Sequence, residues 1–383
     1  MIKIVNPFIT GGYIGAKYFC DRKDESEQVI RYLENGNNVT LISTRRMGKT
    51  GLIHHCFNNK AIQKGYHTFF VDIYATKSLN DFVFLLSKSI FDGLKSSNRK
   101  TLEVFLGAIK SLRPEMSFDE NGMPSFSLGI GDIKRPETSL DEIFHYLKKA
   151  SRPCIVAIDE FQQITNYPEK NIEALLRTYV QRCPLTRFIF AGSQRHLMGE
   201  MFVSAARPFF ASTSMINLEA IDRLKYVEFA RKHFRAGEKD ISVEAVERVY
   251  DIFEGITWYI QKTLNVLFSE TPTGALCTLE MVNDAVKFVV DSNKYTYSEN
   301  MFRLPDKQGK LLIAIAKDHR VAAPTSSGFV KRHNLVSASS VQAALNGLLV
   351  KEFVTRDEAG FAVYDRFFEI WLSTVFGNGY KIY

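Results

Sequence analysis

The stretch Leu41-Ile42-Ser43-Thr44-Arg45-Arg46-Met47-Gly48-Lys49-Thr50 carries Gly-Lys-Thr between an apolar run and a run of helical character. This order is typical of a phosphate-binding loop. In such a loop backbone N–H groups face a polyphosphate, the lysine bridges its terminal phosphates, and the threonine hydroxyl binds Mg²⁺. The full pattern has glycine five residues before Gly48, where this chain has Ser43. We predict that residues 43–51 hold the phosphates: Ser43, Thr44, Arg45, Arg46, Met47, Gly48, Lys49, Thr50 and Gly51.

The flanking segments favour this interpretation over a chance tripeptide. Residues 38–42 form a β-branched and apolar run suited to a buried parallel strand, and residues 51–57 can continue as a helix. Strand, loop and helix therefore occur in the order that a phosphate-binding loop requires.

Composition places the chain among ordinary globular proteins of two or three domains. It has 383 residues, of which 45% are hydrophobic and 24% charged. The net charge of +7 is compatible with nucleic acid but does not require it. Five widely spaced cysteines without a Cys-x-x-Cys pair indicate neither a disulfide framework nor a zinc cluster, and favour a reducing cytoplasm. No apolar run approaches the roughly 20 residues that cross a bilayer, so we expect a cytoplasmic protein without membrane contact.

Short apolar runs alternate with amphipathic ones between residues 39 and 218, which predicts a doubly wound parallel sheet. The predicted strands cover 39–42, 68–73, 154–158, 187–191 and 215–218, and the predicted helices cover 80–94, 139–150 and 172–181. A hairpin with an Asn-Gly turn, at about 115–131, interrupts this rhythm as an insertion. We predict a nucleotide-binding domain over 1–219.

The remainder predicts two smaller domains. From 220 to 295 only helical patterns occur, for example 243–253 and 258–268, which predicts a helical lid. From 300 to 383 three helices (308–317, 327–332 and 337–350) precede an alternating segment at 353–364. Three helices followed by such a hairpin are typical of a winged-helix domain.

A second chemical motif is the apolar strand that ends in Asp159-Glu160. We predict that Asp159 holds Mg²⁺ and that Glu160 orients and deprotonates the water that attacks the γ-phosphate. An acidic pair at a strand end is often only a solvated turn, but five apolar residues before it favour a functional one.

Three further side chains are candidates for the same chemistry. Ser193 follows a third strand and can sense the γ-phosphate, although a serine here can equally cap the next helix. Arg207 can supply positive charge to the transition state, within the subunit or across an oligomer interface, and Arg195 competes for that role.

These motifs together resemble the archaeal-type AAA-like ATPases, relatives of the STAND signalling NTPases and of the origin-recognition ATPases. The resemblance covers nearly the whole chain. Its further motifs are the Phe-x-x-Arg box at 19–25, Gly255-Ile256-Thr257-Trp258-Tyr259-Ile260, and Tyr364-Asp365-Arg366-Phe367-Phe368-Glu369-Ile370-Trp371-Leu372. The resemblance implies that Phe19 lies against the adenine of bound ATP or ADP and that Arg22 helps to close the site.

The chain departs from this family at three places. Ser43-Thr44 replaces Gly-Pro, Thr257 replaces a proline in the lid, and Arg366 replaces a proline after Asp365. The first change restricts the backbone where glycine is free and is expected to weaken phosphate binding. None of the three removes a charged catalytic group.

Three functions remain open at this point. The first is a slow Mg²⁺-dependent ATPase that acts as a nucleotide-driven switch. The second is a winged-helix DNA-binding regulator with nucleotide as a structural ligand, although the expected recognition helix, 337–350, contains no Lys or Arg and offers only Gln342 and Asn346 to bases. The third is a signalling or defence scaffold that forms homo-oligomers, or binds a protein partner, when ATP binds.

Overall fold

The apolar run before Gly-Lys-Thr becomes an inner strand of a five-stranded parallel sheet in the computed structural model. The structure describes residues 6–95, 99–111, 114–118, 124–128, 135–357 and 359–377. The chain divides into two units, one of Gly11–Ala220 and the other of the residues before Gly11 together with those from Ile221 onward. The predicted boundaries at 219, 295 and 300 stay a prediction.

The first unit contains seven strands in the described ranges. They are β1 Val39–Ile42, β2 His67–Asp72, β3 Pro114–Phe118, β4 Pro124–Leu128, β5 Cys154–Asp159, β6 Arg187–Gly192 and β7 Ser214–Asn217. The sheet order is β2-β5-β6-β1-β7, and β3 and β4 form a separate two-stranded sheet. The strands β1 and β5 are buried at every residue, which agrees with their continuous apolar sequence.

Helices connect these strands in the way that parallel pairing requires. They are α1 Lys23–Glu34, α2 Lys49–Phe57, α3 Lys60–Gly65, α4 Leu79–Lys95, α5 Arg99–Ala108, α6 Pro136–Lys149, α7 Ile172–Gln181 and α8 Arg195–Val203. Two short 3-10 helices lie at Ala16–Tyr18 and Phe161–Asn166. A hydrophobic core of strand and helix residues, including Val156, Phe190 and Phe82, holds the sheet to its helices.

The hairpin insertion is confirmed in its strands, since Met116 lies opposite Phe126 in antiparallel register. Its predicted Asn-Gly turn lies outside the described residues.

The second unit is mainly helical. Its helices are α9 Arg223–Ala236, α10 Val243–Ile252, α11 Thr257–Glu270, α12 Leu279–Ser292, α13 Lys294–Arg303, α14 Asp306–Asp318, α15 Ser327–Arg332, α16 Ala338–Val350 and α17 Arg366–Phe376. The expectation of helices alone before 290 is wrong in one detail, because two short strands, β8 Asp240–Ile241 and β9 Leu276–Cys277, pair in parallel. Two-residue strands have too little sequence to show an alternating pattern.

The end of this unit forms the predicted winged helix. Ser337 caps α16 by accepting a hydrogen bond from the Ser340 N–H at 3.2 Å. After α16, strands β10 Val354–Asp357 and β11 Gly360–Val363 form the wing. Gly360 has a φ of 130°, and a Cβ there would lie 2.5 Å from the Val321 carbonyl oxygen, so this close approach requires glycine. Within the ranges listed above for the whole chain, no helix has the length and apolar character of a membrane span.

Candidate functional site

The loop between β1 and α2 has the backbone of an anion-binding turn. Arg46 has a φ of 68° and Gly48 a φ of 94°, so the chain enters the left-handed region twice before α2 begins at Lys49. Left-handed residues within such loops turn successive N–H groups to one side and create a concavity for anions. The helix N-terminus that follows adds a partial positive charge at the same place.

Ser43 and Lys49 contact each other inside this loop. The Lys49 ammonium donates to Ser43 Oγ at 3.2 Å and approaches the Ser43 carbonyl oxygen at 3.5 Å. The Ser43 hydroxyl in turn donates to the Thr44 carbonyl at 2.8 Å. Both side chains are buried, and burial lowers the pKa of Lys49 against the opposing effect of Glu160 and Asp159. The residue that departs from the glycine pattern is therefore a direct partner of the phosphate-loop lysine.

Thr50 and Asp159 meet across the ends of α2 and β5. The Thr50 hydroxyl donates to Asp159 Oδ2 at 2.6 Å, and the Glu160 backbone N–H donates to Asp159 Oδ1 at 3.0 Å. Burial raises the pKa of Asp159, while the bond from Thr50 and the charge of Lys49 act against that rise. A hydroxyl and a carboxylate side by side are oxygen ligands of the kind that Mg²⁺ takes in phosphate sites.

Glu160 turns out of the strand into the site. Its φ of 56° is left-handed, which ends β5 and begins the 3-10 helix. Glu160 Oε2 accepts hydrogen bonds from Ser193 Oγ at 2.6 Å and from Gln162 Nε2 at 2.5 Å. Arg45 Nε donates to Ser193 Oγ at 3.2 Å. A hydrogen-bonded chain thus runs from the phosphate loop through Ser193 to the carboxylate.

Ser193 does not cap the next helix in this arrangement. Gln194 occupies the cap position of α8 without a side-chain cap bond, while the Ser193 hydroxyl faces Glu160. The strand register explains the meeting, because Ile42 of β1 lies opposite Gly192 at the end of β6. The carboxyl ends of parallel strands share one edge of the sheet, where ligands of such folds bind.

The two arginine candidates lie in ion pairs within their own unit. Arg207 contacts Glu173 at 2.6 Å and Glu200 at 3.6 Å. Arg195 contacts Glu219 at 3.1 Å, and its charge contributes to the lowered pKa of Lys49. Arg195 is therefore the candidate whose charge acts on the phosphate-loop lysine.

The Phe19 to Arg22 segment packs on the helix that follows the loop. The Phe19 ring stacks on His55 with centroids 4.6 Å apart, and a Cβ at Gly51 would lie 3.2 Å from the Phe19 ring. The buried Arg22 guanidinium donates to the carbonyl of Met47 at 3.2 Å. This contact ties the segment directly to the phosphate loop.

Sequence reasoning did not single out two contributors to this site. Gln162 bonds to Glu160, and the Tyr74 ring lies 4.8 Å from the Arg45 guanidinium. A signal existed for Gln162, because it stands two residues after Glu160 in the same motif. Tyr74 follows β2, which pairs with β5, and only the strand order places it there.

The other two family motifs contact each other in the second unit. The Arg366 N–H donates to the Tyr259 hydroxyl at 3.1 Å, and the Tyr259 and Phe367 rings lie 5.3 Å apart. Thr257 and Arg366 are the first residues of α11 and α17. The first position of a helix makes no hydrogen bond through its N–H within the helix, which is why proline is common there. Thr257 and Arg366 fill the same position, and both helices begin at these residues.

Comparison with known proteins agrees with this geometry. A model of an ATPase domain found predominantly in Archaea matches residues 19–263, and a model of a probable winged helix domain matches residues 295–374. A search of curated proteins finds no match.

Solved structures share the fold at low sequence identity. The Walker-type ATPase of Pyrococcus abyssi has a TM-score of 0.64 at 16% identity, covering 96% of this chain and 99% of that one. The Aeropyrum pernix ORC2 protein, in ADPNP-ADP complexes, has a TM-score of 0.58 at 13% identity and 96% coverage of both chains. The Aeropyrum pernix ORC1 protein in complex with DNA has a TM-score of 0.52 at 11% identity, covering 93% of this chain and 92% of that one.

The predicted fold class is therefore confirmed: an α/β P-loop NTPase with a helical domain and a C-terminal winged helix. The predicted resemblance is confirmed as well, since the matched domain spans more than half of the chain. The chain belongs to the archaeal-type, AAA-like ATPase family.

Proposed function

We propose that this protein is a slow Mg²⁺-dependent ATPase that acts as a nucleotide-driven switch. The observation that carries the proposal is the pairing of Thr50 with Asp159 at 2.6 Å beside a buried Lys49. Two motifs far apart in sequence meet at one edge of the sheet, and together they provide the lysine, hydroxyl and carboxylate that phosphoryl transfer uses.

Thr50 and Asp159 are the residues that would hold the metal ion. Bound Mg²⁺ would supply positive charge that offsets the charge developing on the phosphate oxygens. In this role the Thr50 hydroxyl and the Asp159 carboxylate, 2.6 Å apart, would offer oxygen ligands to the ion.

Lys49 exchanges its Ser43 partner for the terminal phosphates of ATP. Its ammonium is buried, and burial lowers its pKa, so an incoming anion would favour the charged form of this side chain. The N–H groups of the loop, with Arg46 and Gly48 in left-handed conformation, surround the same phosphates.

Glu160 acts on the attacking water. Its Oε2 is held by Ser193 and Gln162, which fixes the plane of the carboxylate at the strand end. Because Arg45 donates to Ser193, a γ-phosphate that attracts Arg45 or Ser193 also alters the hold on Glu160. This coupling supports a switch, in which the base responds to whether a third phosphate is present.

The test is ATP turnover by the Glu160→Gln variant, with nucleotide affinity measured on the same preparation. We expect turnover to fall by about a hundred-fold or more while affinity stays within two-fold, because only the proton acceptor is lost. Wild-type turnover in the variant would rule out Glu160 as the base.

Light scattering with ADP and with a non-hydrolysable ATP analogue then tests whether the switch controls a homo-oligomer, and identical masses would count against that reading.

DNA is a second candidate partner, favoured by the winged helix and by the DNA complex of the ORC1 neighbour. On α16, Gln342 donates to Asn346 at 3.0 Å, so the two side chains share an exposed face. That face offers base contacts without cations. A mobility-shift assay at near-physiological salt, with and without ATP, tests this proposal, and a lack of salt-sensitive binding contradicts it.

A further inference from the structure

Gln162 lies directly against the carboxylate that we assign as the base. It is the second residue of the 3-10 helix that begins after Glu160, and its side chain is only 3% exposed. Its Nε2 donates to Glu160 Oε2 at 2.5 Å. The Gln162 end of this hydrogen bond is therefore shielded from solvent.

The neighbouring strand makes room for this amide. A Cβ at Gly192 would lie 2.5 Å from Gln162 Oε1 and 2.5 Å from the Met198 side chain. The end of β6 therefore accommodates Gln162 only because residue 192 is glycine. Thr165 Oγ1 donates to the backbone carbonyl of Gln162 at 2.8 Å and helps to fix the turn.

The carbonyl end of the same amide makes no hydrogen bond to any described residue. Gln162 Oε1 is buried and lacks a donor within the parts of the chain that the structure describes. A buried acceptor without a donor costs free energy, which an apolar side chain of similar size would avoid. The contact that offsets this cost is the bond from Nε2 to Glu160.

We propose that Gln162 is a positioning residue for ATP hydrolysis that holds Oε2 of Glu160 through its side-chain amide. The inference rests on the proposed role of Glu160. In the step that it serves, a water proton passes to Glu160 as the water oxygen bonds to the γ-phosphorus. The bond from phosphorus to the bridging oxygen breaks, and its electron pair stays on ADP.

The test compares Gln162→Met, which keeps the size of the side chain and removes the donor, with Gln163→Met as a matched control. Gln163 lies on the same turn but donates to the Thr76 carbonyl at 2.9 Å. We expect turnover of the first variant to fall about ten- to a hundred-fold, since a misplaced catalytic group costs rate rather than binding. Its ATP affinity and the turnover of the control should stay within two-fold of wild type.

A second variant protects the test against a folding defect. Gly192→Ala leaves Gln162 intact and pushes its amide away from Glu160, so it should lower turnover in the same way. Wild-type turnover in folded Gln162→Met, or in Gly192→Ala if the former does not fold, overturns the inference.

The Glu160→Gln background separates the two proposals. In that background Gln162→Met should cause no further loss, because the group that it positions is already inactive. If Glu160→Gln alone keeps wild-type turnover, the proposed function fails. If Glu160→Gln is inactive while Gln162→Met is fully active, only the positioning role fails.

Discussion

Replacing His319 with glutamine should flatten the pH dependence of stability of the unit that contains residues from Ile221 onward. His319 follows α14 and places both ring nitrogens against carboxylates, Nδ1 at 2.7 Å from Glu369 and Nε2 at 2.8 Å from Glu254. Glu369 is 2% exposed, whereas Glu254 is partly exposed. The Arg366 guanidinium contacts the His319 ring, and its charge opposes protonation of the ring. Arg320 pairs with Glu254, which is also a partner of His319.

The magnitude follows from the pKa. Hydrogen bonds to Glu254 and Glu369 raise the pKa of His319 from its ordinary 6.5 to about 8. A raised pKa means that the folded protein binds the proton more tightly than the unfolded chain. The stabilisation is therefore complete below pH 6.5 and is lost as the pH rises through 8. A rise in the pKa of His319 from 6.5 to about 8 corresponds to about 2 kcal/mol of stability at most.

Urea unfolding followed by tryptophan fluorescence measures this effect, because both tryptophans, Trp258 and Trp371, lie in the same unit as His319. Between pH 6 and pH 9 the wild type should lose about 1–2 kcal/mol more than His319→Gln. The variant His145→Gln, at an exposed position of the other unit, controls for the loss of a histidine. Parallel pH profiles of wild type and His319→Gln would refute the reasoning.

Three further changes test the phosphate loop and its supports. Ser43→Ala removes the hydroxyl that accepts a hydrogen bond from Lys49, so ATP should bind about five-fold more tightly in a fluorescence titration. Weaker binding would show that the hydroxyl instead stabilises bound ATP. Arg22→Met removes the buried donor to the Met47 carbonyl and should cost about 1–3 kcal/mol, seen as a lower calorimetric melting temperature; an unchanged temperature contradicts a structural tie. Thr50→Ala should reduce the gain in ATP affinity that Mg²⁺ provides, and an unchanged gain in parallel titrations would exclude this hydroxyl from the metal site.

The inner strands of the sheet were predictable from sequence because β1 and β5 are buried at every residue. Runs dominated by apolar residues, such as 39–42 and 154–158, leave few alternatives. Each predicted strand of this sheet lies within one residue of the observed one. The missed strands β8 and β9 contain two residues each and depend on contacts far apart in sequence.

The grouping of the site residues was predictable where a motif is local. Lys49, Thr50 and Asp159 follow from Gly-Lys-Thr and from a strand that ends in carboxylates. The bonds from Lys49 to Ser43 and from Gln162 to Glu160 did not follow, because both depend on side-chain direction inside a turned backbone. A motif indicates which residues lie near each other. The contacts between individual atoms depend on the left-handed backbone at Arg46 and Glu160, which sets the direction of the side chains.

Calorimetric titration of ATP, with and without Mg²⁺, into wild type and Lys49→Ala tests the central claim most directly. The claim is that residues 43–51 and the Thr50–Asp159 pair form an ATP site. We expect binding to wild type that Mg²⁺ strengthens, and a loss of at least about ten-fold in Lys49→Ala, since the phosphates lose their buried cation. Equal affinity of both proteins for ATP would contradict the account.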